Sequence, residues 1–254
     1  MADQTVTDNI YASEVIDLPS KGLFYPKDSP LSSGQIDIKY MTAKEEDILT
    51  STNLIQKGIV LDKLMDSLIV TKGVKSSDLL TGDLNAVMVA ARILGYGKDY
   101  PITVACPACG EQVSHVVDLS TLQTENEPSE KTSVEFKIIL PLSKAEIGVK
   151  LLTRNDELEM AKESKALKKA MGDLDNDTTS RIRAMITSVD GDTSKAKIWA
   201  FADNMLVRDA RYLREQYKNL SPDIDFNIEL EHECDTTVKK VRLPIGVNFF
   251  WPDA

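Results

Sequence analysis

The chain has 254 residues, of which 42% are hydrophobic and 28% charged, with 40 acidic against 30 basic side chains and a formal net charge of -10. That composition describes a globular protein of one large domain or two of ordinary size, and excludes a disordered chain. No uncharged apolar stretch approaches the ~20 residues of a bilayer span, so no membrane partner is expected.

The opening residues Met1-Ala2-Asp3-Gln4-Thr5 lack the charged-then-apolar layout of a secretion signal. Three cysteines, an odd number, do not make a disulfide framework and suit reducing cytoplasm. Residues 1–33 read as a polar arm punctuated by Pro, Gly and Ser. It carries one apolar patch, Leu18-Pro19-Ser20-Lys21-Gly22-Leu23-Phe24-Tyr25-Pro26. A first unit is predicted over 34–119. Gln35 to Met41 alternates as a half-buried strand, and Thr42 with Glu45 has the form of a capping box at a helix start. Leu54, Leu61, Leu64, Met65 and Leu68 predict one helix from about Asn53 to Val70. Asp83 is expected to cap a helix over Leu84 to Leu94, stopped by Gly95-Tyr96-Gly97. Strands Tyr100 to Ala105 and Gln112 to Leu119 then flank a hairpin tip. Residues 120–132 read as a linker and 133–254 as a second unit. Its predicted elements are a strand from Val134 to Leu140, in the place of Gly22 to Tyr25, then helices over 155–171, 178–188, 194–206 and 209–220. Two closing strands run from Phe226 to Leu230 and from Val238 to Leu243.

The second unit repeats the first. Ile36 to Glu46 and Ile147 to Glu157 pass from strand to capped helix in one register. Asp83 precedes Cys106 by 23 residues, as Asp209 precedes His232. The expected fold is therefore α+β: two related halves of strand, helices and terminal β-hairpin. The hairpins would be joined in a zinc-ribbon-like element. Cys106-Pro107-Ala108-Cys109-Gly110 is a tight turn whose amides face the thiolates, and its glycine admits a positive φ beside a metal. His232 and Cys234 complete a set of four, although one intervening residue is a less usual spacing than two. His115 is the competing fourth ligand, and ordinary buried cysteines are the alternative to any metal. Four protein ligands leave no open position, so the metal, zinc, would be structural.

Two histidines and the absence of G-x-S-x-G, P-loop, dinucleotide and H-E-x-x-H motifs give no support for an enzyme. The hairpin strands carry Glu111, Asp118, Glu229, Glu231, Glu233 and Asp235 against Lys239, Lys240 and Arg242, a poor surface for phosphate. Lys162, Lys165, Lys168 and Lys169 lie near Glu159 and Glu163, as on a solvated helix face. No nucleic-acid partner is expected. The aromatic-rich clusters Leu23-Phe24-Tyr25 and Phe249-Phe250-Trp251, at the two ends, are candidates for partner binding or for core.

Three ordered groups carry a resemblance. The first is Leu18 to Gly22 with Phe24-Tyr25-Pro26, followed by Met41-Thr42-Ala43-Lys44-Glu45-Glu46-Asp47-Ile48-Leu49. The second is Gly82-Asp83-Leu84-Asn85-Ala86 with Arg92-Ile93, Gly95-Tyr96-Gly97 and the Cys106 knuckle. The third is Leu243-Pro244-Ile245 with Phe249-Phe250-Trp251-Pro252. In this order they resemble the baseplate hub assembly proteins of T-even and related tailed bacteriophages. The resemblance implies a non-enzymatic assembly factor or minor hub component that binds other phage baseplate hub proteins. It would act in the host cell cytoplasm and take a place at the virion tail baseplate. A permanent structural hub subunit and a zinc-ribbon nucleic-acid-binding adaptor are the alternatives.

Overall fold

The computed structural model describes residues 12–129, 135–171 and 177–250, without the side chains of 167–171, 235–239 and 247. The chain opens with an antiparallel pair, β1 (Ser13–Asp17) and β2 (Gln35–Lys39). The arm expected to be irregular thus contains a strand. β1 has polar residues at both ends and no alternation to mark it, so its identity comes from pairing with β2. The Thr42–Glu45 capping box forms as expected and opens α1 (Ala43–Thr50).

The single helix predicted from about Asn53 to Val70 is two, α2 (Thr52–Lys57) and α3 (Val60–Leu68). Gly58, at φ 69°, donates to the Leu54 and Ile55 carbonyls and turns the chain between them. The helix containing Asp83 starts earlier than predicted, as α4 (Thr81–Tyr96). Asp83 is its third residue, and its carboxylate does not cap the helix. It accepts from Ser20 N (2.9 Å), Ser20 Oγ (2.6 Å) and the Tyr25 hydroxyl (2.6 Å).

β3 (Asp99–Ala105) and β4 (Gln112–Asp118) form the first hairpin. β5 (Thr124–Glu125) lies in the segment expected to be a linker. The second part contributes β6 (Phe136–Ile139), β7 (Glu146–Val149), α5 (Arg154–Met171) and α6 (Asp177–Met185). The helix predicted over 178–188 gives way to a strand, β8 (Ile186–Val189), which adds to β7 in a β6-β7-β8 sheet. Then follow α7 (Lys195–Asp203), α8 (Val207–Leu220) and β9 (Asp223–Ile224), which pairs with β5. The hairpin of β10 (Asn227–His232) and β11 (Asp235–Arg242) ends the regular structure.

Two apolar clusters form. One gathers Ile38, Leu64, Leu68, Val87 and Tyr100 with Phe226, Ile228, Leu243, Phe249 and Phe250. The second hairpin therefore packs into the core of the first part. The other cluster gathers Ile147, Leu152, Ile182, Met185 and Leu213, with Phe24 packed against it.

The turns after β1 and before β7 are built alike. Each begins Leu-Pro, and each donates an amide to a buried aspartate at the third position of a helix. Ser20 N bonds Asp83, while Leu142 N (2.8 Å) and Ser143 N (2.9 Å) bond Asp209 in α8. β6 therefore takes the place of β1, whereas the sequence had suggested Gly22 to Tyr25. The two buried carboxylates shift in opposite directions. Desolvation raises Asp83 above the usual carboxylate range. At Asp209 the Leu142 and Ser143 amides outweigh burial and hold it below that range.

The Tyr25 hydroxyl also accepts from Leu80 N at 2.8 Å, tying the turn to the start of α4. Tyr25→Phe removes both bonds and strands a buried amide, so unfolding in urea should show a loss of about 2 kcal/mol. A loss below ~0.5 kcal/mol would make that hydroxyl dispensable.

Candidate metal centre

The tips of the two hairpins meet. At the first, Gly110 (φ 77°) closes the turn: Gly110 N donates to Cys106 O, and Cys106 N to Glu111 O, each at 2.8 Å. The Cys109 and Ala108 amides point at the Cys106 sulfur and outweigh its burial, pulling that thiol down to about 6. The geometry read from C-x-x-C-G is therefore present. Cys106 is buried and Cys109 exposed.

At the second tip, His232 is the last residue of β10 and Cys234 lies in the turn after it. The register shifts between Leu230 and His232, as at a bulge. A bulge re-aims the side chains beyond it. That turns His232 toward the first tip and lets an H-x-C spacing present two ligands where C-x-x-C is usual.

The ligand atoms of Cys106, Cys109, His232 and Cys234 all lie within 4.8 Å of one another. Cys106 Sγ is 3.6 Å from Cys234 Sγ, and Cys109 Sγ is 3.6 Å from His232 Nδ1. A tetrahedral ion with bonds of ~2.3 Å to sulfur and ~2.0 Å to nitrogen has edges of about 3.8 Å between sulfurs and about 3.5 Å between sulfur and nitrogen. These two distances lie close to those edges. The group is positioned to bind a metal ion, and its donors and spacing are consistent with zinc.

Hydrogen bonding to Cys109, burial and the nearby Cys106 push the Cys234 thiol up to about 12. Its proton would leave as metal binds, because the thiolate is the ligand. Glu111 was read from sequence only as surface charge. Its Oε2 lies 3.7 Å from His232 Nε2, the ring nitrogen away from the thiols. A carboxylate there favours a proton on Nε2 and leaves Nδ1 free as a donor. His115 is not part of the group. It sits in β4 opposite Ile102, along the strand from the tip.

The aromatic candidates fall in different places. Leu23 is exposed. Phe24 is half-buried, its ring 5.6 Å from that of Phe136, and with Tyr25 it lines a groove of about 600 Å³. Phe249 and Phe250 are buried. Phe249 packs edge-on against Tyr100 at 5.0 Å and Phe250 at 5.3 Å. Trp251 lies outside the described residues. Arg92, marked in the sequence only as part of the family resemblance, secures this end of the chain. It is buried, donates from Nε to the Phe249 carbonyl at 2.9 Å, and lies over the rings of Tyr96 and Tyr100.

No curated protein matches the chain, and no solved structure does. The family model described as T4 bacteriophage base plate protein matches residues 17–251, and the chain belongs to that family.

Proposed function

We propose that this baseplate-family protein is a non-enzymatic hub assembly factor or minor hub component, acting by binding other hub proteins in the host cytoplasm. The family match over residues 17–251 carries the reading. In support of a partner-binding role, the four-ligand cluster found among the described residues, at the hairpin tips, would leave no open position on its ion for a substrate.

The ion is zinc, and its role is to clasp two related halves at hairpins more than a hundred residues apart. The proposed division is an arm over 1–33, a first half over 34–119, a linker over 120–132 and a second half over 133–254. Support for two halves comes from the matched turns at Asp83 and Asp209 and the matched caps at Thr42 and Thr153. The clasp fixes the shape that partners meet, with Leu23, Phe24 and Tyr25 as the contact edge and Phe249 and Phe250 as packing in the core that both hairpins share.

The test is a phage lacking this gene. Incomplete baseplates in its lysate, restored by supplying the protein, are the expected result, and normal tails would overturn the reading. Mass spectrometry of purified particles separates the two roles: a factor is absent from finished tails, and a subunit is present at fixed stoichiometry. Salt-sensitive retention on DNA, without association with hub proteins, would favour the nucleic-acid adaptor instead.

A further inference from the structure

Besides the shared core and the hairpin tips, the two proposed halves meet in a small backbone contact. Leu80, just before α4, forms an antiparallel bridge with Thr153, the cap residue before α5. Thr81 N donates to Leu152 O at 3.1 Å, and Arg154 N donates to Leu79 O at 2.8 Å. Around this bridge Thr81 Oγ1 bonds Glu157, and Arg154 makes a two-pronged ion pair with Asp62. The start of the first half's long helix is thereby seated on the strand-to-helix cap of the second.

Each side of that contact has a counterpart in the other half. Asp83 and Asp209 are both third in their helices and both bonded to a Leu-Pro turn, so Leu79-Leu80-Thr81 corresponds to Met205-Leu206-Val207. Thr42 and Thr153 are both cap residues, so Met41-Thr42-Ala43 corresponds to Leu152-Thr153-Arg154. The reciprocal contact is not made within the chain. Leu80 is 6% exposed, whereas Leu206 is 52% and Val207 83% exposed. Ala43 is exposed, and Tyr40, Met41 and Thr42 are half-exposed. Among the described residues, the Val207 and Ala43 amides donate no hydrogen bond.

A contact that joins unlike surfaces is heterologous, and it leaves one surface of each kind free at the ends. We infer that Met205-Leu206-Val207 of one molecule docks on Met41-Thr42-Ala43 of a second copy of this chain, repeating the internal bridge head to tail. Val207 N would donate to the Met41 carbonyl, and Ala43 N to the Met205 carbonyl. The helix start offers an apolar surface, since Leu142, on the turn bonded to Asp209, is exposed beside Leu206 and Val207. Ala43 in place of Arg154 leaves room for it. The inference rests on the two-halves reading proposed above.

Proline tests the bridge with little cost to the fold. Ala43 and Val207 are each the first residue of a helix, where the amide has no intrahelical partner and proline is well accommodated. The preceding residues Thr42 (ψ 176°) and Leu206 (ψ 138°) are already extended, as a following proline requires. Sedimentation of the full-length protein from about 1 to 100 μM should show concentration-dependent association of the wild type. Val207→Pro and Ala43→Pro should each be monomeric. An equimolar mixture should recover a one-to-one dimer and stop there, because each variant keeps the surface the other lacks.

A monomeric wild type over that range would overturn the proposal. So would variants that associate normally, or a mixture that fails to pair. Should either proline lower the melting temperature, Val207→Asp and Ala43→Glu at the same exposed positions serve in its place. Thr81→Pro tests the internal template separately. It should lower the melting temperature by about 2–4 °C without changing association. An unchanged melting temperature there counts against the two-halves reading, whatever the association result.

Discussion

Cys106→Ser should abolish stoichiometric metal binding and lower the melting temperature by about 10 °C. A 254-residue chain loses about 2–4 °C per kcal/mol, so this corresponds to about 3–5 kcal/mol. Cys106 is the buried member of the group, and the amides of Ala108 and Cys109 favour its thiolate. A serine hydroxyl stays protonated at neutral pH and is a poor substitute ligand. Binding free energy at a structural zinc site is folding free energy, worth about 10–16 kcal/mol in isolated zinc-finger peptides. Here much less is expected. The second hairpin is also held by Phe226, Ile228 and Leu243 in the main core, so the fold should outlast the metal. A chelator should reproduce the loss in the wild type and add little in Cys106→Ser. A wild-type melting temperature indifferent to chelation would contradict the clasp.

The second large effect is the acid limb of stability. Glu45 is fully buried, and its carboxylate receives Lys39 Nζ (2.8 Å), Ser67 Oγ (2.6 Å), Thr42 Oγ1 (2.6 Å) and Thr42 N (2.9 Å). Burial by itself would raise its pKa. The four donors outweigh burial and lower it from 4.5 to about 2. A folded-state pKa below the unfolded value means that the stabilisation is fully present above about pH 4.5. It is lost as pH falls toward 2. The size is on the order of 3 kcal/mol. Glu45→Gln should cost about that much at pH 7 and flatten the difference from wild type as pH falls, measured by urea unfolding from pH 7 to 3. Other carboxylates titrate in the same range, so the difference between the two proteins is the quantity to follow. Parallel curves for wild type and variant would contradict the assignment.

Features set by a few neighbouring residues were legible in the sequence. The Thr42–Glu45 box is one, because both partners lie within a single helical turn. The Cys106 knuckle is another, because its chemistry is fixed by C-x-x-C-G. What the sequence hid are contacts made at a distance. β1, β5, β8 and β9 are short and acquire their identity from the strands they pair with. Asp83 looked like a helix cap, since an aspartate near a helix start most often is one. Its true partners, Ser20 and Tyr25, lie about sixty residues earlier. The H-x-C spacing looked poor for a metal until the bulge between Leu230 and His232 appeared. Gly58 was present in the sequence, but a single glycine inside a helical pattern is compatible with either a break or a continuous helix.

The two aromatic ends pack differently. Phe249 and Phe250 lie under Arg92 and Tyr100, in the same core as the two hairpins. Leu23, Phe24 and Tyr25 lie where the two clusters meet, with Tyr25 bonded to Asp83 and Phe24 packed on Phe136.

The most direct test is the metal content of the protein, purified under reducing conditions without chelator, alongside His232→Ala. The account predicts one zinc per wild-type chain and loss of that zinc in the variant. Wild-type protein that is folded, reduced and free of metal would contradict it.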